Sequence, residues 1–265
     1  MMSMFDTLSF HPDSSLRFAT LYSGSSGNAV YIKSHSDEIL IDEGKSTKCT
    51  EAALQAIGSS LSNISAIFVT HEHHDHTAGL PVTVGRYGIP VYLPALCADM
   101  LQPMATACPM EPLFTVTVGE ITVRSFLTPH DSVMSVGYIV ETPTARLGIA
   151  TDMGFLCKEV VAELQGCDAA IVESNYDPDM LRYGTYPAAL KARILSNRGH
   201  LANCDGALLA AVLAKTGTKR ILLGHLSKEN NTPKLAYAAA EDELARRGVS
   251  AELAVAERDC PTILL

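Results

Sequence analysis

FVTHEHHDHTAGL, residues 68–80, places four histidines, a glutamate and an aspartate in six consecutive positions, His71 to His76. The apolar run ISAIFVT (64–70) leads into it and reads as a buried strand, and Gly79 follows closely. Neutral imidazole and carboxylate are the donors expected of zinc, manganese or iron, so the cluster points to a metal centre. Six adjacent side chains cannot all face one centre, and the rest of the chain must show which of them do.

Three other places share the same arrangement of a buried strand and a metal-capable residue just beyond it. They are SFLTP ahead of His130, LGIAT ahead of Asp152 and ILLG ahead of His225. Strand ends of packed sheets converge on one rim, which is how residues far apart in sequence build a site on rigid elements. A single strand-end histidine is an ordinary satisfied residue more often than a ligand. Four such ends, one carrying HxHxDH, make a shared metal site the better reading.

Short strand-like and helical runs alternate along all 265 residues, which is the pattern of layered α/β architecture. LRFATLY and NAVYIKS flank the loop SGSSG, and EILIDEG gives a third strand. From about Thr144 a similar theme starts again: strand ARLGIATD, helix GFLCKEVVAELQG, strand CDAAIVESN, then further helices around strand KRILLGH. The expected fold is a four-layer αββα sandwich, a single domain (1–265) made of two packed α/β halves, about 1–143 and 144–265. No apolar run is long enough to span a bilayer, and the first residues lack the basic-then-apolar blocks of a signal peptide. The seven scattered cysteines form no CxxC pair and suit reduced thiols, so a cytoplasmic location is expected. A net charge of −9 gives no broad footprint for wrapping nucleic acid, although a metal centre with a local patch can still bind phosphates.

THEHHDH (70–76) resembles the THxHxDH motif of the metallo-β-lactamase-fold hydrolases. LIDEG (40–44), His130, ATD (150–152) and GH (224–225) fall in the order that superfamily uses, over nearly the whole chain. SGSSGN (23–28), ESNYD (173–177), RGHLAN (198–203) and LGHLSKENNTP (223–233) resemble the YycJ/WalJ branch, bacterial cytosolic proteins described as metal-dependent exonucleases or phosphodiesterases. The resemblance implies that His71, His73 and His130 hold one ion, that Asp75, His76 and His225 hold a second, and that Asp152 bridges them. Two divalent ions follow, zinc or manganese before iron, because His73 stands where some redox relatives carry a glutamate. Glu72 and His74 are left outside the ligand set, the latter facing solvent or lying behind the ligands. Asp42 is expected to orient a ligand imidazole from behind.

His200 sits in a Gly-His element ahead of a helix whose cap is expected at Asn203 or Asp205. In nuclease branches of the superfamily such a histidine contacts phosphate or protonates a leaving oxygen, so His200 joins Asp75 and Asp152 as a catalytic candidate. Ser25, Ser26, Asn28 and Asn175 are expected to contact substrate, and Tyr176 offers a ring that could stack on a base. Glu229 to Asn231 read as a capping segment. Lys191, Arg193, Arg198, Lys219, Arg220 and Lys228 form a candidate phosphate track, while His11 and His35 read as ordinary surface residues.

The function expected is a binuclear phosphodiesterase acting on nucleic acid as an exonuclease, with DNA favoured. A hydroxide shared by the two ions would attack phosphorus, and no membrane partner is expected. A thioester or lactone hydrolase on the same centre is the alternative. A non-catalytic relative ranks below both, because no ligand is missing.

Overall fold

The computed structural model describes residues 16–35 and 37–263; the reading of His11 lies outside them. Two seven-stranded sheets face each other. The first has the order β14-β1-β2-β3-β4-β5-β6, built from β1 (Leu16–Tyr22), β2 (Ala29–Ser34), β3 (Asp37–Ile41), β4 (Ile64–Phe68), β5 (Val91–Pro94), β6 (Ala107–Met110) and β14 (Thr262–Ile263). The second has the order β13-β12-β11-β10-β9-β8-β7, from β7 (Thr115–Val118), β8 (Ile121–Leu127), β9 (Val136–Glu141), β10 (Arg146–Ala150), β11 (Ala169–Glu173), β12 (Arg220–Gly224) and β13 (Glu252–Val255).

The strands alternate with period two, yet both faces are buried, because each sheet packs on its twin and on helices. In β3, Ile39 and Ile41 face the second sheet while Leu40 faces outward. In β12, Leu222 faces the first sheet, and Ile221 and Leu223 face helices. The central layer joins Phe18, Ile32 and Phe68 to Tyr138, Ile149 and Ile171. Helices α1 (Thr47–Ala56) and α3 (Leu80–Tyr87) cover the first sheet. On the second sheet lie α5 (Lys158–Leu164), α8 (Asn203–Lys215) and α9 (Pro233–Arg247). The result is the αββα sandwich expected from the sequence.

The sheets divide between Met110 and Thr115, earlier than the expected division near Thr144. Strand β9 pairs with β10, β8 with β9 and β7 with β8, so all three belong to the second sheet. Each sheet runs through three antiparallel strands (β1–β3, then β8–β10) and continues in parallel (β3–β6, then β10–β13). Asp42 and Asp152 follow the corresponding strands β3 and β10, and both take left-handed backbone, φ 63 and 58. The repeat was visible in sequence only from β10 onward, where helices separate the strands.

Candidate metal centre

The C-terminal ends of β3, β4, β8, β10, β11 and β12 meet on one rim. Here β4 feeds His71, β8 feeds His130, β10 feeds Asp152 and β12 feeds His225. The HEHHDH segment turns through His73 into a single-turn helix, α2 (His74–Thr77), with His76 N–H donating to the His73 carbonyl at 2.9 Å. That turn sends alternate side chains in different directions.

His71, His73 and His130 form one group able to hold an ion, and Asp75, His76 and His225 form another. His71 Nε2 lies 3.0 Å from His73 Nδ1, and both rings stand nearly perpendicular to that of His130. Asp152 spans the two groups: Oδ1 is 3.7 Å from His130 Nε2, and Oδ2 is 3.4 Å from His76 Nε2. Asp75 Oδ2 lies 3.7 Å from both His76 Nε2 and His225 Nε2, too far to hydrogen-bond. His225 Nε2 is buried without a hydrogen-bond partner among the described residues, while Asp152 Oδ2 is met by His225 Nδ1 at 2.9 Å. Buried polar atoms are normally satisfied, so an unanswered imidazole nitrogen 3.7 Å from the Asp75 carboxylate fits a cation between them.

Charge leads to the same fit. Burial alone would lower the His76 pKa, but the Asp42 and Asp152 carboxylates outweigh it and push it up to about 9. His225 is likewise raised, against its burial, by Asp152. Burial opposes ionisation of Asp152, yet His225 and His76 hold its pKa well below the ordinary carboxylate range. These carboxylates favour positive charge between them, which a divalent cation would supply. On the other side, burial and the neighbouring His76 keep His71 neutral, the form that binds metal.

Contacts from behind fix the rings. Asp42 Oδ2 accepts from His76 Nδ1 at 2.8 Å and from Thr70 Oγ1 at 2.9 Å, while its Oδ1 accepts from the Thr70 amide. His130 Nδ1 donates to the Gly199 carbonyl at 3.0 Å. Asn175 donates to the His225 carbonyl and Ser23 Oγ accepts from the His225 amide, each at 2.8 Å. Asp42, Asp152 and His225 (φ 56) all take left-handed backbone, a conformation that side chains adopt only where the surroundings impose it.

His200 stands at the same rim, 18% exposed, with its Nδ1 donating to Glu173 Oε1 at 2.7 Å. Glu173 is fully buried at the end of β11, and its Oε2 accepts from the Met153 amide at 2.7 Å. The sequence reading missed both Glu173 and Ser23. The available signal for Glu173 was an acid closing an otherwise apolar strand, AAIVE. A cavity of about 280 Å³ opens here, lined by Ser25, Asp75, Asp152, Asn175, His200, Tyr186 and Arg193 among others.

Several expectations need correction. Asn28 lies outside the cavity lining: its side chain bonds Gly24 and approaches the Asp75 carboxylate and His76 Nε2, the latter at 3.1 Å, so it braces the ligand loop from behind. Ser26 is exposed and outside the cavity lining. A main-chain bridge to Ala202 turns Tyr176 into a cluster with Leu181 and Ile194, leaving it 7% exposed and unable to stack on a base. Tyr186 is the tyrosine at the rim.

Ala202 occupies the cap of α8, because Asn203 is drawn into hydrogen bonds with Ser174 and Asn231. Thr232, just after the ENN segment, caps α9. Lys219 and Arg220 lie at the opposite end of β12 from His225, so the six basic residues do not form one track to the site. Glu72 turns away from the histidines to bond the Val133 amide, and His74 and His35 are exposed.

Comparison with known proteins shows the family. Residues 38–226 match the Beta-lactamase superfamily domain. The exodeoxyribonuclease YycJ of Bacillus anthracis is 36% identical over 239 residues, 88% of this chain and 90% of that protein. The exodeoxyribonuclease WalJ of Streptococcus pneumoniae is 33% identical over 238 residues, 87% and 88% respectively. The metallo-beta-lactamase fold protein YhfI from Bacillus subtilis superposes with a TM-score of 0.71 at 15% identity, over 94% of this chain and all of that one. The chain is a metal-dependent hydrolase that belongs to the metallo-β-lactamase superfamily and, within it, to the YycJ/WalJ group.

Proposed function

We propose that the chain is a binuclear phosphodiesterase that removes nucleotides from the ends of DNA. The observation carrying this reading is the Glu173–His200 pair beside the two ligand groups. The names of the two relatives, similar over most of the chain, support the choice of DNA. His71, His73 and His130 would hold one divalent ion and Asp75, His76 and His225 the other, with Asp152 shared. Zinc and manganese suit these nitrogen and oxygen donors. When bound, the ions would make water nucleophilic and neutralise charge on phosphate oxygens.

The chain's own residues do the rest. Asp75 is 24% exposed while His76 and His225 are buried, so it is the carboxylate able to orient the attacking water toward the cavity. Glu173 accepts the Nδ1–H of His200 and so orients the ring; doubly protonated, the ring donates its Nε2–H to a phosphate oxygen or gives that proton to the departing oxygen. The seven free thiols suit a reducing compartment such as the cytoplasm.

The test sets end-labelled single- and double-stranded DNA and RNA beside a thioester panel, all with metal-loaded enzyme. Stepwise release of nucleotides from DNA is expected. Turnover of thioesters with none of nucleic acid would replace the reading with a small-molecule hydrolase.

A further inference from the structure

Beside the metal centre, sharing His130 as a common wall, lies a second cavity of about 380 Å³. Leu127, Val133 and Phe155 line it, respectively 49%, 43% and 43% exposed. Three large apolar side chains converging on one hollow at an active-site edge mark a binding surface more than scattered exposure does. The hollow also holds an unanswered polar group: Ser132 is 8% exposed, and its Oγ is buried without a hydrogen-bond partner among the described residues. Arg198 stands exposed beside it.

The walls are fixed in advance. Glu72 accepts from the Val133 amide at 2.9 Å, and Cys97 Sγ donates to the Met134 carbonyl. Arg198 Nε donates to the His130 carbonyl at 2.9 Å, and the Gly154 amide to that of Pro129 at 2.8 Å. A Cβ on Gly154 would lie 2.2 Å from the Asn197 carbonyl carbon, so glycine lets the Phe155 loop close against the Arg198 loop. The glutamate of HEHHDH that no ion uses thus holds one side of this hollow.

We infer that this hollow is a base subsite: it takes the unpaired base of a nucleotide flanking the scissile phosphate, against Phe155, with Ser132 Oγ bonding the base edge. The inference rests on the nucleic-acid reading above. An aromatic face with aliphatic sides accepts any base, whereas a base still paired and stacked in a duplex cannot enter. Selection for unpaired ends follows without base-specific contacts.

The test moves one abasic residue through a short dye-labelled single strand with phosphorothioate linkages, and measures binding to metal-loaded enzyme by anisotropy. At one position the abasic strand is expected to bind wild type about 10-fold or more weakly. Phe155→Ala should lose as much on the intact strand and nothing further on that abasic strand, and Phe155→Tyr should recover binding. Phe155→Ala binding the intact strand like wild type, or losses that add at every position, would overturn the subsite. Wild type that binds no strand while hydrolysing a thioester would overturn the nucleic-acid reading and the subsite with it.

Discussion

One oxygen of Glu173 goes to His200 Nδ1 and the other to the Met153 amide, one residue beyond Asp152. That carboxylate therefore ties the imidazole facing the cavity to the segment carrying the shared ligand, while standing outside the two proposed ligand triads. Glu173→Gln should keep the metal content and cut turnover at least about 10-fold, since general acid–base assistance contributes roughly 10²–10⁴; metal analysis with steady-state rates checks it. His76 gives a pH-dependent prediction. Its pKa stands near 9 against an ordinary 6.5, so in the metal-free fold it keeps a proton that an ion must displace. Metal affinity should therefore rise as pH climbs toward about 9, read by competition with a chelator. The sign reverses for metal-free stability: the Asp42–His76 pairing contributes fully below pH 6.5, and its contribution is lost as pH rises through about 9.

At the scale of elements, α2 and the LIDEG turn are locked together. Gly44 N–H donates to the Asn28 carbonyl, the Asn28 amide donates to that of Asp75, and a Cβ on Gly44 would lie 1.7 Å from the Asp75 oxygen. Gly44→Ala should displace α2, lose metal from the Asp75 side and cost on the order of 1–3 kcal/mol of stability; thermal melts with metal counts test this. These elements also show what sequence could reveal. The HxHxDH spacing is local chemistry, and strands ending in His130, Asp152 and His225 are legible because each apolar run stops where its polar residue starts. Ser23 was invisible because its partner, the His225 amide, is 202 positions away. Tyr176 was misread because a main-chain bridge, which no periodicity announces, turned its ring inward. Asn203 reads as a cap until Ser174 and Asn231 claim it.

In the whole molecule, the two sheets repeat one strand pattern, and the proposed ligands come from both. His71, His73, Asp75 and His76 follow β4, while His130, Asp152 and His225 follow strands of the second sheet. Ions at this seam would cross-link the sandwich, so their removal should weaken the entire fold. Ions at 1,000-fold excess over their dissociation constant add about 4 kcal/mol, and a chain of this size shifts by about 2–4 °C per kcal/mol. Chelation should therefore lower Tm by roughly 10 °C for each ion removed, reversibly on adding back zinc or manganese. Among the described residues no helix is long and apolar enough to cross a membrane. The four-layer plan was legible because short apolar strand runs and helical runs follow one another as local patterns; where the sheets divide was not, because strand pairing is a long-range choice.

The proposed centre holds two ions and is served by a histidine outside both proposed ligand triads. It is tested most directly by counting metal per chain, by elemental mass spectrometry, in wild type and His200→Ala, with turnover of end-labelled DNA on the same samples. Two divalent ions are expected in both proteins, with a loss of turnover of about 100-fold or more in His200→Ala. One ion per chain in the active wild type, or undiminished turnover by the variant, would contradict the proposal.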